Sequence, residues 1–170
     1  NMFKKIIKII IKFFLIGNVI IYILFTVFTA PKSDEKVLEL FSESTLKPEL
    51  SQETFNNLTY RKITIGKDTI LPTIVFIHGA TGSLTNFANY LKDESLQKKA
   101  NMISYDRVGY NYKDENSVQA NIALEVELLD DLTKNISKNK LIIVGYSYGG
   151  PIALAFKEKV KKIVLLAPAL

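Results

Sequence analysis

The sequence predicts an α/β domain, a mostly parallel sheet with helices on both faces, preceded by a helix long enough to cross a membrane. Three observations predict it. The N-terminal stretch is apolar and largely free of charge, four short apolar runs do not alternate with polar residues, and the segments between those runs have helical periodicity. With 170 residues, 48% of them hydrophobic, the chain has material for one core.

The leader comes first. Lys4, Lys5, Lys8 and Lys12 all precede the first acidic residue, Asp34, and nothing between Phe13 and Ala30 is charged. The apolar character runs back through Ile6, Ile7, Ile9, Ile10 and Ile11, with Lys8 and Lys12 able to snorkel, so the stretch can span a bilayer. Residues 1–30 are therefore expected to anchor the chain in a membrane. The lysines place the N-terminus in the cytoplasm and the domain after Ala30 on the extracytoplasmic side. A cleaved signal peptide, which would leave a secreted domain, is the competing reading. Against it, Phe28 is bulky at the third position before a cut after Ala30, where a small residue is wanted. A buried core helix would need protein around a nearly all-apolar surface.

Taking the leader's four lysines from the 22 Lys and Arg leaves 18 against 17 Asp and Glu. The net charge of +5 thus belongs to the leader, and no nucleic-acid partner is expected. The absence of cysteine excludes disulfides, a thiolate nucleophile and cysteine-based metal sites. Neither a G-x-G-x-x-G stretch nor a P-loop ending occurs, so no cofactor is expected.

Residues 31–54 turn polar around Val37, Leu38, Leu40 and Phe41, a spacing that suits one short amphipathic helix in a tether. The domain proper is expected over residues 55–170. Leu58, Tyr60, Ile63 and Ile65 roughly alternate with polar residues before Gly66-Lys67-Asp68, as in a half-exposed strand near a sheet edge followed by a turn. The four apolar runs are Thr73 to Ile77, Met102 to Tyr105, Leu141 to Val144 and Ile163 to Leu166. Runs of this kind are buried on both faces, as parallel strands are. Helical periodicity falls over Leu84 to Leu96, over Val118 to Leu132, where Ile122, Val126, Leu129 and Leu132 share a face, and over Pro151 to Lys159. Asn135 to Lys140 reads as a polar loop.

In open α/β sheets, reactive groups gather at the carboxyl ends of the strands. The run from Leu141 to Val144 leads directly into Gly145-Tyr146-Ser147-Tyr148-Gly149 and then a helical segment. That is the G-x-S-x-G nucleophile elbow in its required strand–turn–helix context, with Ser147 as the nucleophile. The turn is tight enough to strain Ser147, and Gly145 and Gly149 remove collisions between strand and helix. The Tyr148 backbone N–H, at the start of the helix, is the expected donor to an oxyanion. Tyr146, Tyr148 and Phe87 are candidates to line an apolar pocket, although Phe87 fits the core equally well.

A second loop, His78-Gly79-Ala80-Thr81-Gly82-Ser83, ends another buried strand. With these motifs together, residues 55–170 resemble the N-terminal part of an α/β-hydrolase. The resemblance implies that Ala80, after the His-Gly pair, supplies a second oxyanion N–H, and that His78 orients the loop and is not the catalytic base. Asp106-Arg107-Val108-Gly109-Tyr110 is similar to the family's Asp-Arg-x-Gly turn, whose acid and base brace the loop below the site, which makes Asp106 structural. Ile163 to Ala169 is similar to the strand that leads into a lid or cap.

The resemblance also implies a triad in the order Ser, Asp or Glu, His, and the last two have no counterpart within these 170 residues. The chain is thus expected to be C-terminally incomplete and inactive as it stands, because a serine without a base is a poor nucleophile. The expected activity of the complete enzyme is acyl transfer from an ester, thioester or amide of a small-molecule or lipid-like substrate. Ser rather than Asp at the elbow argues against epoxide or haloalkane chemistry. Two alternatives stand beside it: a membrane-tethered binding domain that keeps the fold without catalysis, and an acyltransferase.

Overall fold

A computed structural model describes residues 2–112 and 117–169 and divides the chain into two units, Asn1–Ala30 and Pro31–Leu170. The first is one helix, α1 (Met2–Thr29). Within it, Lys4–Phe28 is long and apolar enough to cross a membrane, a length and composition that suit a membrane span or a signal sequence alike. Asn18 Nδ2 donates to Phe14 O at 2.7 Å and Thr26 Oγ1 to Ile23 O at 2.8 Å. Each polar side chain thus returns a hydrogen bond to its own helix, which lowers the cost of placing it in hydrocarbon.

The second unit is a six-stranded sheet in the order β1-β2-β4-β3-β5-β6, formed by β1 (Glu49–Phe55), β2 (Leu58–Ile65), β3 (Thr73–Ile77), β4 (Asn101–Tyr105), β5 (Leu141–Tyr146) and β6 (Lys162–Leu166). The four apolar runs form β3 to β6 and pair in parallel, while β1 and β2 add an antiparallel hairpin at one edge. Side chains alternate between the two faces of a strand, and two cores result. Val75, Ile77, Tyr105 and Ile143 face α5 (Ile122–Thr133) and α6 (Gly149–Ala155) on one side. Ile63, Ile65, Phe76, Met102 and Val144 face α2 (Asp34–Glu39), a 3₁₀ turn (Leu84–Phe87) and α3 (Ala88–Lys92) on the other.

Three expectations change. The first is residues 31–54, expected as a tether, which belong to the folded unit. Ser33 caps α2 by accepting from Lys36 N, and Val37 and Phe41 are 0% and 1% exposed in the core that also holds Phe87 and Leu91. The stretch ends in β1, which closes onto β2 through Asn56 and Asn57. Both sit at positive φ, 47° and 62°, as a two-residue hairpin turn requires.

The second is the helix expected from Leu84, which is broken into the 3₁₀ turn, α3 and α4 (Glu94–Gln97), with Asp93 ending α3 and capping α4 through Leu96 N. The third is the helix expected from Val118, which begins four residues later because Asn121 accepts from the N–H groups of Ala123 and Leu124. Its buried stripe is also rotated. Glu125, Leu128, Leu129 and Thr133 face inward, while Ile122 is exposed.

Candidate active site

Strand order places the site. From β3 the chain moves to β4 on one side, then crosses back to β5 on the other, so the loops leaving β3 and β5 diverge from a common point at their carboxyl ends. Clefts in α/β sheets open at such switch points. Ile77 lies opposite Gly145 in the parallel register, and two residues further on the same register brings Gly79 beside Ser147.

Ser147 lies between β5 and α6 at φ 50°, a left-handed conformation unfavourable for a residue with a Cβ. The turn is held from behind. Ser147 N donates to Leu166 O at 3.1 Å, and Ser147 O accepts from Gly150 N at 2.9 Å and Ala169 N at 3.0 Å. Three glycines make the geometry possible. A Cβ at Gly145 would stand 2.4 Å from Gly149 O, the strand-to-helix collision expected from the motif. One at Gly149 would meet Ile77 O at 2.2 Å, so this glycine lets α6 close onto the neighbouring β3 instead. One at Gly79 would stand 2.7 Å from Ser147 Cβ and 3.2 Å from its Oγ. The serine side chain therefore rests against the loop after β3.

Ala80 is exposed and Tyr148 half-buried, and among the described residues no acceptor is recorded for either backbone N–H. His78 is fully buried beneath them. Its Nε2 accepts from Arg107 N at 3.0 Å, which leaves the proton on Nδ1 to be donated to Gly79 O at 2.7 Å. Burial, with a smaller contribution from the Arg107 charge, drives the imidazole pKa down to about 3. Both ring nitrogens are spent on backbone groups, so His78 has no lone pair to offer Ser147.

Asp106 and Arg107 do not pair with each other. Asp106 accepts from Arg61 Nε at 2.8 Å and from Leu84 N at 2.7 Å, tying β2 to the 3₁₀ turn. Arg61 in turn reaches Lys32 O at 2.9 Å and Asp34 at 3.0 Å. Arg107 donates from Nε to Glu125 Oε1 at 2.9 Å and from Nη1 to Gly79 O at 3.4 Å. Its guanidinium lies 4.5 Å from the centre of the Tyr148 ring and 4.8 Å from that of Tyr110. Burial pushes the Glu125 carboxyl pKa up, and the neighbouring Arg107 charge opposes that shift. The sequence reading missed Arg61 and Glu125, because buried charges are invisible to apolar periodicity. The available signal was an acid at the position next to Val126 on the face of α5 that the apolar spacing pointed inward.

Tyr146 and Phe87, with Asn86, Tyr90 and Leu166, line a cleft of about 410 Å³ on the α3 face. Phe87 also stacks on Phe76 at 4.8 Å, so it serves cleft and core together. Tyr148 does not line this cleft; its ring covers Arg107. Another cavity, about 370 Å³ and lined by Gly66, Thr73, Asn101 and Lys140 among others, opens at the amino ends of β3 and β4, the opposite end of these strands from Ser147. Among the described residues no cluster of three or more His, Asp or Glu side chains could hold a metal.

A sheet of this order, with a strained strand-to-helix turn facing a glycine loop at its switch point, defines a hydrolase-type α/β fold. The family profile for the alpha/beta hydrolase fold matches residues 72–170, more than half of the chain, and the chain belongs to that family. It is 28% identical over 99 residues to a protein described as an esterase or lipase in Mycoplasma pneumoniae, and 28% identical over 94 residues to a proline iminopeptidase of Saccharolobus solfataricus. The matches take in 55% and 54% of this chain but only 37% and 30% of those proteins, so the chain spans about a third of the curated relatives' length. The crystal structure of a membrane phospholipase A, a bacterial virulence factor, superposes with a TM-score of 0.64 at 21% identity, covering 93% of this chain and 52% of that one. At that identity the likeness is one of fold.

Proposed function

We propose that this chain carries the nucleophile and oxyanion donors of a serine hydrolase that cleaves an ester, thioester or amide by acyl transfer. The observation that carries the reading is the placement of Ser147, at φ 50° in the turn after β5 with its side chain against Gly79. Ser147 Oγ attacks the substrate carbonyl and gives its proton to a base. The carbonyl oxygen, now negative, takes hydrogen bonds from the N–H groups of Ala80 and Tyr148. The leaving group departs with a proton, and water then attacks the acyl-enzyme to release the acid and regenerate Ser147.

The sole histidine is not read as that base, since both its ring nitrogens are committed to the backbone. The substrate is a small-molecule or lipid-like acyl compound, in keeping with an esterase or lipase among the relatives. The helix Lys4–Phe28 is read as a membrane anchor, with the lysines before Phe13 in the cytoplasm and the domain on the extracytoplasmic side.

The test uses the full-length protein with a short p-nitrophenyl ester and a fluorophosphonate probe. Hydrolysis and labelling that both vanish in Ser147→Ala support the reading. Unchanged hydrolysis in that variant removes Ser147 from the mechanism, and a wild-type protein that neither labels nor hydrolyses is a binding domain. Product analysis with a competing alcohol distinguishes hydrolysis from acyl transfer to the alcohol.

A further inference from the structure

The Gly79 carbonyl and the Ala80 N–H belong to one peptide unit. That unit is planar and trans, so its C=O and N–H point in opposite directions, and whatever fixes the oxygen fixes the hydrogen. Two donors fix this oxygen: His78 Nδ1 at 2.7 Å and Arg107 Nη1 at 3.4 Å. Both approach from the buried side of the loop, since His78 and Arg107 are 0% and 1% exposed, whereas Ala80 is exposed. Donation to a carbonyl also polarises its amide and strengthens the N–H on the far side as a donor.

The same guanidinium also meets the side chain of the residue that carries the other N–H. Its central carbon lies over the Tyr148 ring, 4.5 Å from the ring centre, and Tyr148 follows Ser147 directly. Arg107 is itself held at its Nε by Glu125 of α5 at 2.9 Å, and its central carbon also lies over the Tyr110 ring, 4.8 Å from the ring centre. A single cation therefore meets the carbonyl of the Gly79–Ala80 peptide unit and the ring of Tyr148, and Glu125 of α5 holds it in place.

We propose that Arg107 is a positioning residue for the oxyanion site, setting the Ala80 amide through Gly79 O and the Tyr148 amide through its ring, with Glu125 as its anchor. This rests on the reading of Ser147 as nucleophile. Lysine cannot replace arginine here. It keeps the charge but loses the fork that reaches Glu125 and Gly79 together.

The experiment compares wild type, Arg107→Lys and the double variant Arg107→Met/Glu125→Leu, which removes both buried charges together. Each is made in the full-length protein and measured for kcat and KM on a p-nitrophenyl ester, affinity for a boronic acid that forms a tetrahedral serine adduct, and thermal midpoint. Expected are a fall in kcat of about 100-fold, KM within about two-fold, and a boronate affinity reduced in parallel with kcat, in a protein that remains folded at the assay temperature. A change confined to KM, an unchanged boronate affinity, or loss of folding in both variants overturns the proposal. Ser147→Ala in the same assay distinguishes the two ideas. If it abolishes turnover while the Arg107 variants keep theirs, the positioning role fails and the nucleophile stands.

Discussion

Gly79 and Ser147 approach so closely that a methyl group on the first would stand 2.7 Å from the Cβ of the second. The contact follows from register, because Ile77 pairs with Gly145 and the loops leave their strands in step. Position 79 must therefore be free of a side chain for the serine to lie against the loop. Gly79→Ala is expected to cost about 1–3 kcal/mol of stability, as overpacking does. Displacing the serine from the donors is expected to slow fluorophosphonate labelling of the full-length protein by about 100-fold. A variant labelled at the wild-type rate would show that the loop and the serine do not work together.

Ser147 has a second measurable property. At φ 50° it sits where a non-glycine residue loses about 1–2 kcal/mol, and nothing in its hydrogen bonding needs a side chain, since Leu166, Gly150 and Ala169 all bond its backbone. Ser147→Gly is thus expected to be more stable than Ser147→Ala by about 1 kcal/mol in chemical denaturation, while both lose labelling. Equal stability of the two would mean that the elbow stores no strain in the folded protein.

The site was legible to different depths for physical reasons. The strands β3, β4 and β5 showed as unbroken apolar runs because they lie inside the sheet with most of their side chains buried, β6 showed by the same apolar run although it is only half-buried at the edge, and the elbow showed because its glycines sit at fixed offsets that the backbone demands. The hairpin was harder to see. β1 reads Glu49-Leu50-Ser51-Gln52-Glu53-Thr54-Phe55, an edge strand carrying charge, and its turn is marked only by Asn56-Asn57, a pair that tolerates positive φ without advertising it as glycine would. The Arg107 brace was hidden for another reason. Its partner Glu125 occupies a buried position that hydrophobic periodicity assigns to an apolar residue.

The same blindness made residues 31–54 look like a tether. Phe41 tests the difference directly, for it is 1% exposed among Ile63, Phe87 and Leu91. Phe41→Ala is expected to destabilise the domain by about 3–5 kcal/mol in urea unfolding. A loss below about 1 kcal/mol would mean that the segment hangs free of the core.

His78 makes the acid limb of stability predictable. Its pKa falls from 6.5 to about 3 on burial, so below pH 6.5 the unfolded chain takes up a proton that the folded protein refuses. Stability contributed by the neutral ring is therefore complete above about pH 6.5 and is lost as the pH falls toward 3. At about 1.4 kcal/mol per unit, going from pH 7 to pH 4.5 removes roughly 2–3 kcal/mol through this residue. Glu125 works in the opposite sense, since its raised pKa favours the folded state at low pH, but it is common to wild type and a His78→Gln variant and cancels between them. The variant is expected to be less stable at pH 7, because Arg107 N and Gly79 O lose their ring partners. The gap to wild type should then narrow by about 2–3 kcal/mol at pH 4.5, measured by urea unfolding at the two pH values. A gap that stays constant would mean that the ring is protonated in the folded protein, which would take from Arg107 N the Nε2 lone pair that accepts its hydrogen bond.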